Sequence, residues 1–170
     1  LVDIGGGRKI FLECRGEGGP TVILVSGYRN DADIWDSIAI DPASGQTAVL
    51  PGAAGFTRVC GYDRPGTVLD DEHVSRSDPV PMPRTAQDVV TDLHILLHAA
   101  GVPGPYVLAG HSFGGLFSRL YASTYPDEVA GLVMVDALPE TIPAHLTPAE
   151  WQNYRDAIQL VPEVLETYSD

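Results

Sequence analysis

Gly110-His111-Ser112-Phe113-Gly114, with Gly115 behind it, is the segment of this sequence best suited to covalent chemistry. It fits Gly-x-Ser-x-Gly, the pattern in which a serine on a sharp strand-to-helix turn presents its hydroxyl as a nucleophile. The pattern alone is modest evidence in a chain this rich in Gly, and its context supplies the weight. Tyr106–Ala109 before it is a short apolar run that reads as a strand. Phe113–Tyr125 after it gathers Leu116, Phe117, Leu120 and Tyr121 on one helical face before Pro126 stops the helix. A chain that reverses from strand to helix in so few residues holds the serine in a strained conformation, and Gly110 and Gly114 leave room for the turn. The helix then aims its N-terminal N–H groups at the point where negative charge develops on a substrate oxygen.

A nucleophilic serine needs a base and a group to orient that base. His111 is adjacent to Ser112, but such a turn points neighbouring side chains apart, so His111 reads as a packing residue. His145 is the only histidine that follows, while His73, His94 and His98 come earlier. His94 and His98 lie one helical turn apart, as a metal pair would, but no third ligand is evident and they read as exposed helix residues. Asp63 and Arg64, in an Asp-Arg-Pro-Gly turn, read as loop-fixing charges. Cys14 and Cys60 show no metal-ligand spacing and are too few for a disulfide-stapled scaffold; two buried thiols or a single bridge both fit.

The elements that must hold these residues alternate between strand and helix. Thr21–Val25, Val59–Tyr62, Tyr106–Ala109 and Leu132–Val135 are continuous apolar runs of the kind buried in a parallel sheet, and Arg8–Cys14 alternates as a half-buried strand after the turn Gly5-Gly6-Gly7. Between them, Thr85–Ala100 places Val89, Leu93, Leu96, Leu97 and Ala100 on one face, with Thr85 and Asp88 as a capping pair and Gly101 as the stop. Thr147-Pro148-Ala149-Glu150 opens another helix running to about Leu160, and Pro162 is read as the start of one more. Tyr28–Thr57 and Pro65–Pro83 read as surface loops, with room for a short helix at Asp31–Ile38. The fold class is therefore α/β, a mostly parallel sheet with flanking helices.

The chain of 170 residues is the size of one domain. Apolar residues at 44% and charged residues at 19% exclude a wholly disordered chain, and no apolar run approaches the ~18 residues that cross a bilayer. Ten Lys and Arg against 23 Asp and Glu give a formal charge of −13, which opposes nonspecific attraction to nucleic acid or anionic membrane. The start, Leu1-Val2-Asp3, reads as that of a processed or trimmed chain.

On these residues the sequence resembles the α/β-hydrolase fold family. The likeness runs through Val22–Tyr28 as a strand with its oxyanion loop, Cys60–Gly66 as the next strand and turn, the serine turn, and Tyr125–Val129 leading into Gly131–Asp136. It implies a hydrolase core over residues 1–138, holding the first six strands, and the start of a helical cap over 139–170. It also implies Ser112 as nucleophile, the backbone N–H groups of Phe113 and Tyr28 as oxyanion hole, a small acyl substrate, and no cofactor or metal. Where the family often has His-Gly, this chain has Ser26-Gly27, a change that bears on loop support more than on a backbone donor. Asp136 is where some members keep the acid that orients the base, whereas Glu166 and Asp170 have no supporting context. The family's histidine follows its last strand, and His145 falls in the cap. The expectation is thus a C-terminal portion, as a second chain or a further segment, that brings the histidine and covers the Leu132–Val135 edge. Trp151, Tyr154 and Leu160 would pack the cap or line an acyl pocket. The resemblance also makes the strands of Cys14 and Cys60 neighbours, which permits a bridge and would favour an extracytoplasmic protein.

Overall fold

Seven strands form among the described residues: β1 (Val2–Asp3), β2 (Lys9–Ile10), β3 (Leu12–Arg15), β4 (Thr21–Val25), β5 (Val59–Tyr62), β6 (Tyr106–His111) and β7 (Val129–Val135). The computed structural model describes residues 1–37, 45–70, 72–82 and 84–158. Ile38, Leu160, Pro162, Glu166 and Asp170, each part of an expectation above, lie outside that set. The main sheet has the order β3-β5-β4-β6-β7. Only β3 runs antiparallel, so the sheet is mostly parallel, as the continuous apolar runs require.

Alternation along β4 divides the core. Ile23 and Val25 face one side with Leu93, Leu96, Leu97, Leu108, Phe117 and Tyr121, whereas Leu24 faces the other with Trp35, Leu50, Val59 and Ala109. The first side is covered by α2 (Ala86–Ala99, after α1 below) and α3 (Phe113–Thr124). The expected capping pair is in place: the Thr85 hydroxyl accepts from Asp88 N–H, and the Asp88 carboxylate accepts from Thr85 N–H. A last helix, α4 (Pro148–Ile158), starts with the same reciprocal pair between Thr147 and Glu150.

Two expectations change. The single strand read over Arg8–Cys14 is two, because Phe11 is diverted: its N–H donates to Ser77 Oγ at 2.9 Å and its carbonyl accepts from Asp63 N–H at 3.2 Å. β2 therefore pairs with β1 around the glycine turn, while β3 pairs with β5. Within Tyr28–Thr57, read as loop, lie a 3-10 turn at Ala32–Asp36 and the helix α1 (Val49–Ala54). Pro51 and Gly52 hide α1 in the sequence, but Pro51 sits in the first turn, where its missing N–H breaks no bond, and buried Leu50 anchors the helix.

Cys14 and Cys60 are directly opposed in the β3–β5 register and are joined by a disulfide. Asp92 on α2 is a second tie, accepting from Arg8 at 2.8 and 3.0 Å and from Arg84 at 2.6 Å. Burial pushes the Asp92 carboxyl up, but the hydrogen bonds from the two guanidinium groups outweigh it and hold the group below the usual carboxylate range. At the far edge, Leu132–Val135 of β7 stay 40–49% exposed. No helix among the described residues is long and apolar enough to cross a membrane.

Candidate active site

Ser112 is the hinge between β6 and α3, at φ 49° and ψ −119°. Positive φ is costly for any residue with a Cβ, about 1–3 kcal/mol, and persists only where surroundings enforce it. They do so here. The Ser112 N–H donates to the Val135 carbonyl at 3.2 Å, and its own carbonyl accepts from Gly115 N–H at 3.0 Å and Leu138 N–H at 2.9 Å. Close packing explains the glycines: a Cβ on Gly114 would lie 2.0 Å from the Val25 carbonyl oxygen, and one on Gly110 2.7 Å from that of Gly114. The glycines let α3 start directly against the end of β4.

That approach brings the loop after β4 to the serine. A Cβ on Gly27 would meet Ser112 Cβ at 3.2 Å, and the rings of Tyr28 and Phe113 are 6.2 Å apart. Tyr28, Ser112 and Phe113 thus share one site. The loop is held by groups the sequence reading only partly identified. Ser26 Oγ donates to the Asp31 carbonyl at 2.7 Å and accepts from Trp35 Nε1 at 2.9 Å. The Arg64 guanidinium, only 4% exposed, donates to the Ser26 and Gly27 carbonyls and lies over the Phe117 ring. Buried Asp63 accepts from Ala32 N–H at 2.9 Å and from the Arg76 guanidinium at 2.6 and 2.9 Å. Burial first, then the charges of Asp63 and Asp33, push the neighbouring Asp31 carboxyl up. Arg64 and Asp63 brace loops, as their turn suggested; Arg76 and Trp35 carried no local signal.

Asp136 follows β7 at the level of Ser112, because the β6–β7 register pairs His111 with Val135. It is exposed, with φ 43°. Among the described residues, the three non-glycine residues at positive φ, Arg29, Ser112 and Asp136, therefore all lie beyond the C-terminal ends of β4, β6 and β7. In open α/β sheets that end is where ligands bind. His111 meets the edge of Trp35, with ring centroids 6.2 Å apart, in a packing contact. His145 is exposed in a 3-10 turn at Ile142–His145. His73 pairs with Asp70, and His94 and His98 pair with Glu128. Among the described residues, no hydrogen bond joins a histidine ring or Asp136 to the Ser112 hydroxyl.

An alpha/beta hydrolase fold family model matches residues 20–168. The chain belongs to the α/β-hydrolase fold family. It is similar to an uncharacterized protein of Schizosaccharomyces pombe, 39% identical over 89 residues that make up 52% of this chain and 15% of that protein. It is 27% identical to Lipase 3 of Moraxella sp. over 131 residues, 77% of this chain and 36% of the lipase. Among solved structures, Est816, an N-acyl homoserine lactone degrading enzyme, superposes with a TM-score of 0.66 at 20% identity, covering 92% of this chain and 53% of that one. The chain thus spans well under half of these two curated relatives and about half of the solved structure. Neither the fold nor these relatives support a separate partner chain.

Proposed function

We propose that this protein is a serine hydrolase that cleaves a carboxylic ester or related acyl bond through an acyl-enzyme on Ser112. The observation that carries the reading is the enforced positive φ of Ser112 at the joint of β6 and α3, with the Tyr28 loop packed against it. Ser112 Oγ attacks the substrate carbonyl carbon, and its proton passes to a histidine. The carbonyl oxygen becomes an oxyanion, stabilised by the backbone N–H groups of Phe113 and Tyr28. As the tetrahedral intermediate collapses, the C–O bond breaks and the leaving alcohol takes the proton; water then releases the acid by the same steps in reverse. Asp136 is the acid this reading assigns to orient the histidine. The histidine itself is assigned to a C-terminal portion of the same hydrolase, outside these 170 residues. Residues from 139 onward, with α4, are read as the start of a cap, where stacked Trp151 and Tyr154 either line an acyl pocket or pack against the core.

A fluorophosphonate probe tests this directly. The expected result is labelling of the protein at Ser112 that is absent from Ser112→Ala; a folded protein that never labels would leave a noncatalytic, ligand-binding hydrolase shell. Cleavage of the lactone ring is a second reading, favoured by the likeness to Est816. Amides and thioesters complete the panel of acyl substrates that separates these chemistries.

A further inference from the structure

We propose that His94, His98 and Glu128 form a binding site for one divalent transition-metal ion of the zinc class, on the opposite end of the sheet from Ser112. The sequence shows the two histidines one turn apart without a third ligand. The fold supplies it: α3 carries the chain back across the sheet, and the 3-10 turn Pro126–Glu128 sets Glu128 beside the C-terminal half of α2. One donor atom from each residue lies within 4.8 Å of the other two. His94 Nδ1 is 3.2 Å from Glu128 Oε2, and His98 Nε2 is 2.8 Å from Glu128 Oε1. Donors around a tetrahedral zinc, with bonds of about 2.0–2.1 Å, are separated by roughly 3.3 Å, so donor atoms within 4.8 Å of one another close on an ion by side-chain shifts of up to about 1.5 Å.

Two features distinguish this cluster from an ordinary surface ion pair. His94 is stacked on Tyr125 with centroids 4.0 Å apart and planes 9° from parallel, which fixes its ring. Tyr121 donates its hydroxyl to Glu128 Oε2 at 2.6 Å, which fixes the carboxylate. Such outer contacts orient metal ligands and tune their affinity. The third ligand, His98, is 58% exposed in its side chain and leaves an approach for the ion and a place for bound water. Two imidazoles and one carboxylate suit zinc, cobalt or nickel and disfavour magnesium and calcium, which take oxygen donors. The site is remote from the serine: α3 begins beside Ser112, and its 12 residues span about 18 Å before Tyr125. A metal here ties α2 to the α3–β7 connection, and its effect is on stability, not on the acyl chemistry.

The test uses untagged protein stripped with a chelator and titrated with zinc chloride by calorimetry and thermal melting. The expected result is one ion per chain and a melting temperature raised by about 5 °C at saturation, with no comparable effect of magnesium or calcium. Cobalt should give visible d–d absorption. His98→Ala removes an exposed ligand without touching the core, and Glu128→Gln keeps an acceptor for Tyr121. Each should weaken zinc binding by more than about tenfold while the metal-free melting temperature of His98→Ala stays unchanged. His73→Ala, at the His73–Asp70 pair, should bind as the wild type does. Absence of saturable zinc binding overturns the proposal, as does binding that both ligand variants leave intact. Fluorophosphonate labelling of Ser112 should be the same with and without zinc, so this result stands or falls apart from the hydrolase reading.

Discussion

β4 and β7 are both short apolar strands in one parallel sheet, TVILV and VAGLVMV, and their surroundings are opposite. Ile23, Leu24 and Val25 of β4 are at most 1% exposed, whereas Leu132–Val135 of β7 are 40–49% exposed. Composition makes each a strand; position in the sheet, centre against edge, decides what covers it. Both strands also deliver backbone to the candidate site. On the β4 side, Ser26, Arg64, Trp35 and Asp63 lock the loop that carries Tyr28. On the β7 side, Asp136 is exposed on a strained residue after the edge strand. The site is rigid where it would hold the oxyanion and open where it would hold the acid.

The contrast breaks most severely at glycines. Gly114→Ala drives a Cβ into the Val25 carbonyl, so we expect a loss of about 4 kcal/mol or more in urea unfolding, together with loss of fluorophosphonate labelling. Next in size is the Cys14–Cys60 disulfide on the braced side, which closes a separation of 46 residues. Loop entropy alone gives about 4 kcal/mol, with about 2–4 typical, so Cys14→Ser with Cys60→Ser should lower the unfolding midpoint accordingly. Smaller again is the acid response of Asp92. Its folded pKa is depressed, so its contribution is fully present above the unfolded value of about 3.9 and is lost as pH falls through the lower folded value. Stability should therefore drop below about pH 4 with a slope from this one proton of at most about 1.4 kcal/mol per pH unit, and Asp92→Asn should remove that part of the slope.

What could be read from the sequence was local in the chain. The serine turn was legible because its strand, its glycines and its helix are contiguous, and the α2 cap because Thr85 and Asp88 are three residues apart. What escaped depends on residues far apart. Gly114 is obligatory because β4, some ninety residues earlier, ends against it, roughly the span from Val25 to Gly114 along the chain. Arg76 braces Asp63 through a loop with no regular pattern. Glu128 meets His98 across 30 residues because α3 and the start of β7 bring it there. The β7 edge was foreseen only through the family resemblance, since an apolar run by itself cannot announce which strand is the edge.

An isosteric pair sharpens the comparison with the smallest perturbation. Val→Thr keeps shape and replaces a methyl with a hydroxyl, so its cost reports how dry the site is. Val25→Thr puts the hydroxyl at a fully buried position and should cost about 1–3 kcal/mol. Val133→Thr, at a position 49% exposed, should stay within about 0.5 kcal/mol. Gly131→Ala nearby should be neutral or slightly stabilising, because a Cβ there meets nothing within 4 Å and the strand gains backbone rigidity. Urea unfolding of the three variants measures the difference between centre and edge. If Val133→Thr costs as much as Val25→Thr, β7 is covered in solution and the edge is not an edge. If the two costs differ as expected, β7 is less covered than β4 in this chain, and Asp136 stands on the more solvent-exposed side of the candidate site.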